Sequence, residues 1–290
     1  MWCLFNQKES KKLIFFSFPS TIRTLIYTML HAKQEEEDSY RPTFDQGAVR
    51  KVARLVHRYR LMEENEAELE ARLGKLDPQT GAFVAGVHCD TLKDIESMLK
   101  SNPNIAGGSE WVEHHDYYYK HNDRSTRTRV EFDPKTLTHR SSTVHKQTVA
   151  SVIVPAHQTF VPVSSETAHT IECHPQSNAN QMAVRISLSL EKTVVDPPAL
   201  VKKTDLVRIT RRRTFTWDRR GRSHRPCWQY DLSKVWTAPT RSGAEVAQVT
   251  TPSLCEVEIE TLPPAVLEHS DAYVAHSLIM KAFDFAVKYR

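Results

Sequence analysis

Glycine is scarce, eight residues in 290. No G-x-G-x-x-G or G-x-x-x-x-G-K-[ST] run occurs, which argues against a phosphate cradle built from backbone N–H groups. If the chain handles phosphate, it does so with side chains. The five cysteines (Cys3, Cys89, Cys173, Cys227, Cys255) include no C-x-x-C pair, so they are read as reduced thiols, neither a disulfide framework nor a zinc site. The histidines show no H-x-x-x-H spacing, and His114-His115 is read as structural. Ser/His/Asp and Cys/His nucleophile arrangements have no supporting spacing. There is no repeat of 20–50 residues.

Long apolar runs are also missing. The nearest, 13–30 (LIFFSFPSTIRTLIYTML), is broken by Pro19, Arg23 and several hydroxyls, whereas a spanning helix needs about 20 predominantly apolar residues. No membrane partner is expected. Residues 1–40 are read as an extension: disordered, a targeting peptide, a start assigned upstream of Met29 or, less in keeping with the broken apolar run, an anchor or signal sequence. Residues 41–290 are read as one catalytic domain. Residues 1–34 hold Lys8, Lys11, Lys12, Arg23 and Lys33 against Glu9, which accounts for the formal charge of +4 and leaves the remainder neutral. A globally basic nucleic-acid binder is thereby excluded, and any polyanion site must be local.

The elements present are mostly strands. Helical spacing marks 49–66, 91–100 and 271–290. Period-two patterning marks 67–73, 111–120, 125–132, 141–154, 167–173, 182–194, 207–217, 227–235 and 254–262. Many strands without β–α alternation predict an α+β, mainly antiparallel β fold. Polar side chains alternate along these strands: Glu68, Glu70 and Arg72; Arg127 and Arg129; Arg185, Ser187, Ser189 and Glu191; Arg211 and Arg213; Gln229, Asp231 and Ser233; Glu256, Glu258 and Glu260. One polar face of an antiparallel sheet is usually solvated. Three like charges on one short face, however, are destabilising unless something neutralises them, and the rows nearly balance in charge from strand to strand. A closed barrel with this face inward would have a polar lumen and an apolar exterior covered by helices. Clustered carboxylates suit Mg²⁺ or Mn²⁺, and fixed guanidinium groups suit phosphate oxygens. Together they make a clamp for a triphosphate, which is most of what phosphoryl transfer requires.

From Glu68 to Pro264 the chain resembles the fungal and protozoal mRNA 5′-triphosphatases, within the triphosphate tunnel metalloenzymes. The resemblance rests on Glu68-x-Glu70 followed by Arg72 and Gly74, on 129–133 (RVEFD), 184–191 (VRISLSLE), Arg211 to Phe215, 230–235 (YDLSKV) and 256–260 (EVEIE). It implies an eight-stranded β tunnel with flanking helices, and metal-dependent removal of the γ-phosphate from the 5′-triphosphate end of nascent mRNA, the first step of cap formation. It implies metal ligation by Glu68, Glu70 and Glu260, and catalytic roles for Glu191, Glu256 and Glu258. Phosphate contacts fall to Arg72, Arg129, Lys146, Arg185, Arg211 and Arg213, oriented by Asp231 and Ser233. Mg²⁺ or Mn²⁺ is the implied cofactor, an RNA guanylyltransferase the implied partner, and the nucleus the implied location. Where the family has Arg in an R-x-D-x-T run, this chain has Gln229, and Ser233 replaces Thr. A sibling activity on nucleotides, tripolyphosphate or thiamine triphosphate, and a non-catalytic RNA- or polyanion-binding barrel, are the alternatives. Tyr117-Tyr118-Tyr119 is read as packing rather than base stacking. The second half of the arginine-rich run 211–225 is read as an exposed hairpin tip, either a solvated loop or an RNA-contacting lip.

Overall fold

The computed structural model describes residues 46–62, 67–108, 110–121, 124–133, 138–155, 182–194, 204–217 and 227–288. All of them belong to one compact unit, Phe44–His157 with His174–Arg290. The extension 1–40, the expected strand 167–173 and the arginine tip beyond Trp217 lie outside the described residues. The elements are α1 (Gln46–Arg60), β1 (Ala67–Leu76), β2 (Phe83–Ala85), α2 (Cys89–Ser101), β3 (Ile105–Gly107), β4 (Val112–His121), β5 (Arg124–Asp133), β6 (Thr138–Pro155), β7 (Met182–Thr193), β8 (Leu206–Trp217), β9 (Trp228–Ala238), α3 (Arg241–Thr250), β10 (Leu254–Thr261), α4 (Pro263–Glu268) and α5 (Asp271–Lys288).

Eight strands pair in the order β10-β9-β8-β4-β5-β6-β7-β1, and β10 pairs back onto β1. The sheet is closed, antiparallel, and has no free edge within that ring. β2 adds to β1, and β3 to β8. In β1 the side chains of Leu69, Ala71 and Leu73 are buried outside the ring, against α1 and α5. Those helices contribute Val52, Leu55 and Val56, and Val274, Leu278 and Ile279. Each such large side chain contributes about 1.5–3 kcal/mol on burial, and the same alternation turns Glu68, Glu70 and Arg72 into the lumen. Gly74 is required where β2 folds back, because a Cβ there would stand 2.3 Å from the Val84 carbonyl oxygen and against the Phe83 ring.

Three expectations are corrected. The first helix ends at Arg60, not Glu66, and its tip runs into a turn at Leu61 and Met62. Helix α3 was not foreseen, although Thr240 caps it by accepting a hydrogen bond from the Gly243 N–H. The cysteines are not all thiols: Cys89, at the start of α2, and Cys255, in β10, form a disulfide with their Cα atoms 5.6 Å apart. Their 166-residue separation in sequence carried no local signal. Only the fold makes them neighbours.

Candidate active site

Strand register determines which charges meet. Glu70 stands opposite Glu260, and Arg72 opposite Glu258, at the β1–β10 seam. From there Glu258 faces Asp231 and Glu256 faces Ser233 on β9, while Arg212 faces Ser233 on β8. Opposed residues in an antiparallel pair share a face, so all of these point into the tunnel.

Two ion-pair networks result. Glu258, 7% exposed, accepts from Arg72 Nη2 at 2.9 Å and from Arg212 Nη2 at 2.9 Å. Arg72 also forks onto Glu70 at 2.9 and 3.2 Å, and Arg212 donates to Asp231 at 2.8 Å and to the Ser233 hydroxyl at 3.2 Å. Against the cost of its burial, Arg72 and Arg212 pull Glu258 down to about 2. In the second network Lys146 holds Glu68, and lies 3.0 Å from Glu191. Arg127 reaches Glu191 at 3.3 Å. Burial raises Glu191, but Lys146 and Arg127 outweigh it and hold the carboxyl below its usual range. Arg129 forks onto buried Asp116 at 2.8 and 3.1 Å, and Arg208 binds Glu256. Arg185 lies 4.9 Å over the Phe83 ring; burial and neighbouring Arg72 lower its proton affinity.

The cavity enclosed by these strands has a volume of 310 Å³. Its wall carries Arg72, Arg127, Arg129, Lys146, Arg185, Arg208 and Arg212 against only Glu70, Asp116 and Glu258. Such a wall is built for a polyanion.

At the seam the balance reverses. Glu260 is pushed up to about 8 by burial and by Glu68, Asp231, Glu70 and Glu258. Glu68 is pushed up to about 7 by burial and by Glu70, with Lys146 opposing. Gln229 donates to both Glu260 and Asp231 at 3.2 Å, so it spans the second-row acid and the seam without adding charge. Among the described residues no three His, Cys, Asp or Glu side chains already converge as a ligand cage. The donors are nonetheless hard carboxylate oxygens, with Glu68 and Glu260 crowded among other acids, and that chemistry fits Mg²⁺ or Mn²⁺.

These shifts set a pH dependence. In the unfolded chain both glutamates titrate near 4.5, so above that the folded state holds the extra protons and stability falls as pH rises toward 8. His114, lowered to about 4 by burial and by Arg129, works in the opposite sense, but only below 6.5. Between pH 6.5 and 8 the melting temperature measured in chelator should therefore fall, and Mn²⁺ should flatten the fall. A rise over that range would contradict the seam electrostatics.

The structure places Glu68, Glu70, Arg72, Arg129, Lys146, Arg185, Glu191, Asp231, Ser233, Glu256, Glu258 and Glu260 in the tunnel. Arg211 and Arg213 are corrected. Arg211 is half exposed, 4.0 Å from Glu113. Arg213 pairs with Glu96 of α2 and lies 5.3 Å over the Trp111 ring, outside the barrel. The cause is the pleat: Val207, Ile209 and Phe215 are buried on the odd-numbered face, which leaves Arg208, Thr210, Arg212 and Thr214 inside. Sequence reasoning also passed over Asp116 and Thr214, the latter donating to Asp231 at 2.7 Å.

No protein-family description matches the chain, and no curated protein does. Solved structures do. The S. pombe RNA triphosphatase Pct1 superposes with a TM-score of 0.50 at 16% identity, over 86% of this chain and 91% of that one. The same enzyme in complex with the Spt5 CTD gives 0.51 at 17%, over 86% and 92%. The fold is shared with that enzyme's tunnel. At this identity the likeness extends to the architecture of the tunnel, and the resemblance carried by its E-x-E strands is matched by the fold.

Proposed function

We propose that the chain is a metal-dependent phosphohydrolase that removes the γ-phosphate from the 5′-triphosphate end of RNA, the first step of cap formation. The observation that carries this reading is the closed tunnel whose cavity wall sets seven cationic side chains against three carboxylates, with a carboxylate seam beside it. Arg72, Arg127, Arg129, Arg208 and Arg212 stand on strands already tied by cross-strand carboxylates. They can exchange those partners for phosphate oxygens without moving the backbone, and so orient the triphosphate for in-line attack. Lys146 adds a point charge and Arg185 a further guanidinium. Glu68, Glu70 and Glu260 would hold Mg²⁺ or Mn²⁺. Bound there, the ion would supply positive charge to phosphate oxygens and make a nearby water more acidic. Glu191, Glu256 and Glu258 would position the attacking water, and Glu191, held low by Lys146 and Arg127 against the effect of burial, stays charged as an acceptor of the water's hydrogen bond. The 5′-diphosphate product is what a guanylyltransferase consumes, which makes that enzyme the natural partner and the nucleus the natural place of work.

Phosphate release from 5′-triphosphate RNA, ATP and inorganic tripolyphosphate, each with Mg²⁺, Mn²⁺ or excess chelator, tests this directly. Release that needs a divalent ion and favours RNA is expected. Undiminished release in chelator refutes the metal assignment. Salt-sensitive RNA binding without any release identifies a polyanion-binding barrel instead.

A further inference from the structure

The tyrosine run at 117–119 divides between the two faces of β4. Tyr117 packs outside, with Val207, Ile209 and Ala244 of β8 and α3. Tyr118 is on the opposite face and lines the cavity. It is the one aromatic side chain among the described residues of that wall, whose other members are charged or carry hydroxyls. It is not sealed into a core, being only partly buried. Its cross-strand partner is Arg127, its phenol is a neighbour of the Arg129 guanidinium, and no hydrogen-bonding role for the phenol is needed by Asp116, which is already forked by Arg129. Strand β4 lies four places from β1 in either direction round the ring, so Tyr118 stands on the side of the ring opposite β1.

A triphosphate gives charge to the cations and the seam, but nothing in it matches an aromatic face. A nucleobase does: stacking on an aromatic ring is tolerant of base identity and contributes measurably to binding. We propose that Tyr118 is the nucleobase platform of the tunnel, the residue that makes it prefer a nucleotide-bearing triphosphate over a bare polyphosphate. The inference rests on the triphosphatase reading for its catalytic readout. It also has an independent readout in binding.

The test compares wild type with Tyr118→Phe, Tyr118→Trp and Tyr118→Leu in the full chain. The measured quantity is the ratio of kcat/KM for 5′-triphosphate RNA, and for ATP, to that for inorganic tripolyphosphate. In parallel, calorimetry gives the ratio of ATP to tripolyphosphate affinity. Phe and Trp should keep the wild-type ratio, because they keep a ring face. Leu should lower it about tenfold, in keeping with the loss of one stacked base. An equal loss on all three substrates with Leu would overturn the proposal and leave Tyr118 a packing residue. A lowered ratio with Phe would overturn it too, by assigning the effect to the phenol. If Leu fails to fold, Phe and Trp still decide between face and hydroxyl. If wild type hydrolyses nothing, the triphosphatase reading fails, and the affinity ratio alone then supports or refutes the platform.

Discussion

Exchanging Arg212 for lysine should lower phosphate release by about 10²–10³, the cost of losing one preorganised donor to developing charge. The same exchange at Arg211 should change it less than about twofold, since an exposed ion pair contributes little. The two residues are adjacent in sequence and identical in chemistry, and they differ in the face on which the pleat places them. Inside the tunnel Arg212 presents its guanidinium to Glu258, Asp231 and Ser233 at once. Lysine keeps the charge but cannot reproduce that fork. Among the described residues Arg211 has only Glu113 at 4.0 Å. Rates for the two variants, measured side by side with melting curves, check the assignment. Equal losses, or a larger loss at Arg211, would reverse the face of β8.

Glu258→Ala should produce the largest loss of stability in the tunnel, about 3 kcal/mol, the lower end of the range for breaking a buried ion pair. The lower end is expected because each stranded cation keeps one partner: Arg72 retains Glu70 and Arg212 retains Asp231. Glu191→Ala should cost less, since its side chain is 24% exposed and its pairs are longer or shared. Urea unfolding of the two variants provides the comparison. Its size depends on pH: Glu258 is lowered to about 2, so its contribution is full at neutral pH and disappears as pH falls from about 4.5 through about 2. A Glu258→Ala chain as stable as wild type at pH 7 would mean that the buried network is not formed in solution.

The barrel strands were readable because their charges and apolar residues alternate without interruption. In E-V-E-I-E and E-L-E-A-R no other period fits, and the register at the seam follows once both strands are recognised. β8 was harder. Its run R-I-T-R-R-R-T-F puts arginines at 208, 211, 212 and 213, so either register offers cations to the lumen, and the arginines alone decide nothing. The deciding signal was apolar: Val207, Ile209 and Phe215 share the odd-numbered face and need a core. Asp116 and Thr214 were missed for a related reason, as each becomes functional only through partners on other strands. The disulfide and the cap at Thr240 show the two remaining limits, a contact set wholly by tertiary structure and a helix of only ten residues.

The seam between β1 and β10 also dictates when the protein becomes competent. Its two halves, Glu68 with Glu70 and Glu256 through Glu260, come from opposite ends of the described chain. During synthesis β1 emerges early with its acidic row exposed, and its partner strand is the last of the ring to be translated. Until then the sheet has two open edges, and pairing across so long a span is slow because the loop entropy must be met first. A chain that stops before residue 254 therefore leaves a curved, aggregation-prone sheet with half of the acidic seam, so chemical competence waits on the synthesis of β10.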